Sequence, residues 1–257
     1  MKRAVKTGLQ IVGAVLALLV LTIVAIGYSA FGGRAAIVDG AEPAPGVRIV
    51  KDGIVTVGFV DAGDGKVLLI DAGNDPEGKA ILAELTRRQT DAGAVSAIFL
   101  THGHPDHTNG AHLFPHAAIY ALAADIPLAE GRAGSHGPVT HFFPPKSNGT
   151  KVTRAVQDGE TVTVGSTAVR VFALPGHTAG SAAYLTRGVL FLGDSAGLKT
   201  NGTLTGSPWA LSDDSAQNHQ ALRALADRLR PEQIQIVAIA PAHTGTGTFD
   251  ALAQYAP

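Results

Sequence analysis

The chain has 257 residues, 46% hydrophobic and 16% charged, enough for one substantial globular domain plus an appendage and too few for two large domains. Its formal net charge is -1, and without Lys2, Arg3 and Lys6 the remainder carries roughly -4, so there is no basic face and no nucleic-acid partner is expected. There is no cysteine, which excludes disulfides, thiolate metal sites and a lipoprotein anchor and leaves nitrogen and oxygen as metal donors.

Residues 1–8 are basic, and Leu9 to Phe31 carries no charge, with only Gln10, Thr22 and Ser29 strongly polar. As a helix this run would reach roughly 34 Å, enough for a bilayer core. Lys2, Arg3 and Lys6 on its near side predict a cytoplasmic N-terminus and a catalytic domain exported to the periplasm or cell exterior by a single-pass anchor in the cytoplasmic membrane. A cleaved signal peptide is the alternative, although its apolar core should be shorter. Residues 32–46, with Gly32-Gly33 and Pro43-Ala44-Pro45, read as a flexible tether, which puts the start of the catalytic domain at Val47 and its extent at 47–257.

Three β-prone runs follow, Val47 to Val50, Ile54 to Val60 and Val67 to Ile70, separated by the turn signals Asp52-Gly53 and Gly63-Asp64-Gly65. A helix is predicted from Asp75-Pro76 to about Asp91, then a buried strand from Val95 to Leu100. The second half repeats this order. Strands are predicted at Lys151 to Val156, Thr161 to Val164, Ala168 to Leu174, Ala182 to Leu185 and Val189 to Leu192, then a helix from Asp214 to Arg230 and a last strand from Ile234 to Ala240. Two blocks of hairpins, each followed by a helix and a strand, predict an α/β fold of two sheets packed face to face with helices outside.

The most informative stretch is Thr101-His102-Gly103-His104-Pro105-Asp106-His107-Thr108. A regular helix would fan these donors around its axis, and a strand would send His104 and His107 to opposite faces, so a turn beyond the strand end is required for them to converge. Three later apolar runs also end in a donor beside Gly or Pro: His177 in Leu174-Pro175-Gly176-His177, Asp194 in Leu192-Gly193-Asp194, and His243 in Pro241-Ala242-His243. Imidazole suits zinc or iron and a carboxylate can bridge two cations, so five histidines and two aspartates would furnish a pair of adjacent metals.

On these motifs the chain resembles the metallo-β-lactamase fold superfamily over about residues 47 to 250. The resemblance implies an αββα sandwich of two mixed sheets with a dinuclear site at one edge. It also implies that His102, His104 and His177 hold the first metal, Asp106, His107 and His243 the second, and that Asp194 bridges. An imidazole at His104 favours two zinc ions and hydrolysis over the redox branches that carry a carboxylate there, with iron or manganese as alternative metals. The reaction implied is cleavage of an ester, thioester, lactone or lactam bond of a small molecule by a metal-bridging hydroxide that Asp106 orients and deprotonates. A single-iron dioxygenase and a non-catalytic metal-binding module are the rival readings.

Ser181 and Ser195 adjoin ligands and are expected to hydrogen-bond them. Lys199 and Arg132 are candidates for clamping a substrate carboxylate, and Phe142, Phe143 and Trp209 for an apolar wall. The stretch from Gly131 to Gly149 is too long and too aromatic for an idle turn.

Overall fold

Strands that read as unbroken apolar runs are buried on both faces, and their alternating side chains here sort into three separate cores. The computed structural model describes residues 2–232 and 234–256; in the N-terminal helix the side chains of residues 2–9, 26 and 29–31 lie outside that description. The helices are α1 (Lys2–Phe31), α2 (Lys79–Arg87), α3 (Pro105–Thr108), α4 (Ile126–Ala129), α5 (Ser215–Leu229) and α6 (Phe249–Ala253).

The first sheet runs in spatial order β1 (Val47–Asp52), β2 (Val55–Gly63), β3 (Lys66–Ile70), β4 (Val95–Phe99), β5 (Ala118–Leu122) and β6 (Arg154–Val156). Its first three strands form an antiparallel meander, and β3 to β6 are parallel. The second half supplies β7 (Thr161–Val164), β8 (Thr167–Ala173), β9 (Ala182–Thr186), β10 (Val189–Gly193), β11 (Ala196–Leu198), β12 (Leu204–Gly206) and β13 (Ala238–Pro241). These make a second mixed sheet ordered β13-β10-β9-β8-β7, with only β13 and β10 parallel, and a small β11-β12 ribbon.

Leu68, Ile70, Ala97 and Phe99 share one core with Val169, Val171, Tyr184 and Phe191 of the other sheet. Their neighbours Leu69 and Ile98 face the opposite way, onto Ile81 and Leu85 of α2. On the far side Ala183, Leu190 and Leu192 meet Leu222, Leu225 and Leu229 of α5. The layers are therefore helix, sheet, sheet, helix, as expected. The sheets approach closely at Gly58, where a Cβ would stand 2.5 Å from the ring of Phe191.

Residues up to Gly33 and those from Arg34 onward are two separate units. Helix α1 exposes Ile11, Leu18, Leu21 and Ile23. Among the described residues no helix is long and apolar enough to cross a membrane. The expected span over 9–31 and the basic segment 1–8 reach into residues whose side chains are outside the description.

The segment expected to be a tether is instead fastened to the body from Arg34. Ala35 N donates to Leu198 O at 2.8 Å, Gly245 N to Ala35 O at 3.1 Å, and Ile49 N to Ala41 O at 2.8 Å. Gly and Pro mark turns here, and Ala44 is buried in the inter-sheet core. Helix α2 begins later than predicted because the Asp75 carboxylate accepts from Glu77 N and Lys79 N, which holds residues 75–78 in a turn. The last strand also starts later, at Ala238, where burial beside β10 begins; Ile234 and Val237 are exposed.

Candidate metal centre

Every donor singled out from the sequence stands just past the C-terminal end of a strand, on one edge of the sandwich, where α/β sheets place their crevices. His102 and His104 follow β4, and the single helical turn α3 presents Asp106 and His107, with Pro105 at its first position as tolerated there. Ala72 N donates to His107 O at 2.7 Å, which ties this turn to the end of β3. His177 follows β8, Asp194 follows β10 directly, and His243 follows β13, with Ala242 N donating to Gly193 O at 2.9 Å.

Each imidazole has one nitrogen fixed by an acceptor outside the centre. His107 Nδ1 lies 2.8 Å from Asp71 Oδ2, and His102 Nδ1 lies 3.2 Å from Thr101 Oγ1, which itself donates to Asp71 at 2.8 Å. His177 Nδ1 is 3.3 Å from Ser212 Oγ, His243 Nδ1 2.8 Å from Ile54 O, and His104 Nε2 2.8 Å from Ser135 Oγ. With the outward nitrogen donating, the inward nitrogen of each neutral imidazole keeps its lone pair, which is the tautomer a metal ligand needs.

The inward atoms converge. His104 Nδ1 is 3.0 Å from His102 Nε2 and 3.0 Å from His177 Nε2, and the last two are 3.2 Å apart. Lone pairs aimed at one another repel, whereas three nitrogens around a tetrahedral cation with bonds of about 2.0 Å are spaced about 3.3 Å apart. Beside them, Asp106 Oδ2 is 3.4 Å from His243 Nε2 and 3.7 Å from His107 Nε2. Asp194 lies between the groups, Oδ1 3.2 Å from His107 Nε2 and Oδ2 3.0 Å from His243 Nε2 and 3.6 Å from His177 Nε2. His107 Nε2 and Asp194 Oδ1 are buried without a hydrogen-bond partner. Orphaned inward atoms, fixed outward ones and a set of hard oxygen and imidazole donors fit a metal centre. His102, His104 and His177 could hold one ion, Asp106, His107 and His243 another, with Asp194 shared.

The electrostatics divide the same way. Burial drives His177 down to about 3 and His102 well below its ordinary value, and lowers His104, so these three are neutral near pH 7. Burial also acts against His243, but Asp194 and Asp106 raise it to about 10. Burial would push the Asp194 carboxyl up; the neighbouring His243 and His107 hold it well below the usual carboxylate range. Burial acts against His107 too, but Asp194, Asp71 and Asp106 hold it well above its ordinary value, so in the metal-free chain protons on His107 and His243 balance the carboxylates where cations would do so.

Ser181 and Ser195 stand elsewhere than expected. Ser181 Oγ accepts from Thr178 N at 3.0 Å and Ser195 Oγ donates to Leu174 O at 3.3 Å, so both brace loops and neither bonds a donor side chain. Arg132 is engaged by Glu130 at 2.7 Å, and Lys199 is exposed beside Thr203, its N donating to Thr203 O. Phe142, Phe143 and Trp209 are all exposed. The residues that the sequence did not single out are Asp71, Asp125, Ser135 and Ser212. Buried Asp125 accepts from Gly103 N at 2.7 Å, Thr178 Oγ1 at 2.8 Å and Gly180 N at 2.8 Å, binding the His102 and His177 loops together. Asp71 and Asp125 follow or adjoin strand ends, a signal shared by many turn residues and so unspecific alone.

Residues 50–240 match the family model of the metallo-beta-lactamase superfamily. The chain belongs to that superfamily. Two curated relatives carry hydrolase names. Hydroxyacylglutathione hydrolase of Citrobacter koseri is 29% identical over 136 residues, covering 51% of this chain and 43% of the relative. The "probable polyketide biosynthesis zinc-dependent hydrolase BaeB" of Bacillus velezensis is 30% identical over 133 residues, covering 51% of each. The chain spans about half the length of the curated relatives it matches. Among solved structures, a B3 metallo-beta-lactamase with an active-site glutamic acid superposes with a TM-score of 0.64 at 19% identity, covering 87% of this chain and 88% of that one. BJP-1, a subclass B3 metallo-beta-lactamase of Bradyrhizobium japonicum, gives a TM-score of 0.58 at 21% identity, covering 83% and 81%. At these identities the structural likeness speaks for the fold.

Proposed function

We propose that the chain is a dinuclear zinc hydrolase that cleaves an ester, thioester, lactone or lactam bond of a small molecule. The carrying observation is Asp194, whose two oxygens address His107 on one side and His243 and His177 on the other, so that one carboxylate serves both donor groups. Zinc ions held by these residues would supply an acidified water nucleophile and polarisation of the substrate carbonyl.

The chain's own residues do the rest. His102, His104 and His177 are neutral and add no negative charge, which leaves their side of the centre the more electropositive and suited to the substrate oxygen. Asp194 and His107 are buried and fixed, so they set spacing and charge. Asp106 differs, with a side chain 25% exposed and a carboxyl held below its ordinary value, once burial is outweighed, by His107 and His243. An ionised carboxylate at the open rim can accept a proton from the attacking water and return it to the leaving group. That both curated relatives are hydrolases supports the reaction class.

Leu9 to Phe31 is proposed as an anchor that keeps the hydrolase on the outer side of the cytoplasmic membrane, supported by its lack of charge and by Lys2, Arg3 and Lys6 on its near side. Protease accessibility in spheroplasts tests this. Metal analysis together with a panel of chromogenic ester, thioester, lactone and lactam substrates, with and without chelator, tests the rest: two zinc ions and chelator-sensitive turnover are expected, and full metal loading with no turnover on any member overturns it.

A further inference from the structure

Four of the five imidazoles at the centre take their outward hydrogen bond from residues beside strand ends or turns of the two sheets and the adjoining 207–213 segment. His104 does not. Its Nε2 lies 2.8 Å from the hydroxyl of Ser135, on the long segment between α4 and β6. That segment is docked elsewhere too: Asn148 Nδ2 donates to Thr108 Oγ1 at 2.7 Å, His136 N to Asp213 Oδ1 at 2.8 Å, and Val139 N to Ala210 O at 2.9 Å. The stretch it docks on carries Ser212, the partner of His177 Nδ1, and Asp213 N donates to His177 O at 3.0 Å.

We propose that Ser135 is a positioning residue for the first metal site: as acceptor of the His104 Nε2 proton it fixes the ring's tautomer, keeps the Nδ1 lone pair aimed at the centre, and couples the order of the 131–149 segment to metal affinity. This rests on the metallo-hydrolase reading above. The other polar partners given to the His104 ring among the described residues are His102 and His177, on its inward side, and these repel it when no cation is present. Outer partners of metal-bound imidazoles typically change affinity about 10- to 100-fold when removed. Ser135 lies on a partly exposed loop, so its hydroxyl can be deleted without opening a core cavity.

The test is zinc competition against a chromophoric chelator on the full chain, with Ser135→Ala and Ser135→Thr beside the wild type, and thermal melting of each metal-free form. Ser135→Ala should weaken one of two zinc ions about 10- to 100-fold and leave the other and the metal-free melting temperature unchanged, while Ser135→Thr, which keeps the hydroxyl, restores affinity. Wild-type affinity in Ser135→Ala overturns the inference alone, as does a parallel fall in metal-free melting, which would mark Ser135 as a structural brace. A wild-type chain that binds no zinc overturns the hydrolase reading and this inference with it.

Discussion

Asp71 Oδ2 lies 2.8 Å from Nδ1 of His107, and both side chains are buried. The same carboxylate accepts from Thr101 N at 2.7 Å and from Thr101 Oγ1, so one residue past β3 orients the start of the donor loop and one of its imidazoles. Asp71 has a φ of 64°, a conformation that Asn tolerates at least as well as Asp. Asp71→Asn should therefore keep the fold, lose the charge opposite His107 and weaken zinc about 10- to 100-fold in chelator competition. Unchanged affinity would show that His107 needs no carboxylate behind it.

Asp106→Asn removes the one carboxylate of the centre with an open flank. A lost proton acceptor typically costs about 10² to 10⁴ in rate, so kcat on the best substrate of the panel should fall by that factor while KM moves little. Equal loss in an Asp106→Glu variant would point to geometry in place of proton transfer.

The metal-free chain should be most stable near pH 6.5. His177 titrates at about 3 in the fold against 6.5 ordinarily, so between these values the unfolded chain takes a proton that the folded one refuses, and stability falls as pH drops through that window. His243 is raised to about 10, so its contribution is complete below 6.5 and is lost as pH rises from 6.5 to 10. Thermal melts of chelated protein between pH 5 and 9 check both arms. Zinc must displace the His243 proton, so loading near pH 7.5 should release protons, read by calorimetry in buffers of differing ionisation heat.

Asp125→Ala leaves Gly103 N, Thr178 Oγ1 and Gly180 N without their acceptor in a buried place. Each stranded donor costs about 1–3 kcal/mol. A loss of about 3 kcal/mol or more is expected in urea unfolding, together with weaker zinc binding, because the His102 and His177 loops are no longer joined. A neutral result would mean water replaces the carboxylate.

The donors were legible one by one because metal chemistry demands particular residue types at strand ends, and His102, His104, Asp106 and His107 lie close enough in the chain to declare a shared centre. Asp71, Asp125, Ser135 and Ser212 were not legible. A serine or aspartate near Gly is the ordinary composition of a turn, and only contact with an imidazole some thirty positions away, as between His104 and Ser135, gives it a role. The short β5 (Ala118–Leu122), with two alanines among its five residues, carries little apolar signal of its own; its place in the sheet comes from pairing with β4 and β6. In the expected tether, 32–46, Gly and Pro signal a break in regular structure and do not say whether the broken segment finds partners, as it does from Ala35 onward.

By itself the sequence determined the order of apolar runs and turns, from which two sheets with helices outside were expected, and the identity and order of the candidate donors, since both are local properties of residue type and spacing. Tertiary structure alone decided that one Asp194 oxygen would address His107 and the other His243, which nitrogen of each imidazole faces inward, and that the 131–149 segment reaches the centre. Those are relations between elements far apart in the chain, and hydrogen-bond geometry at about 3 Å is set by their packing, which no local pattern encodes.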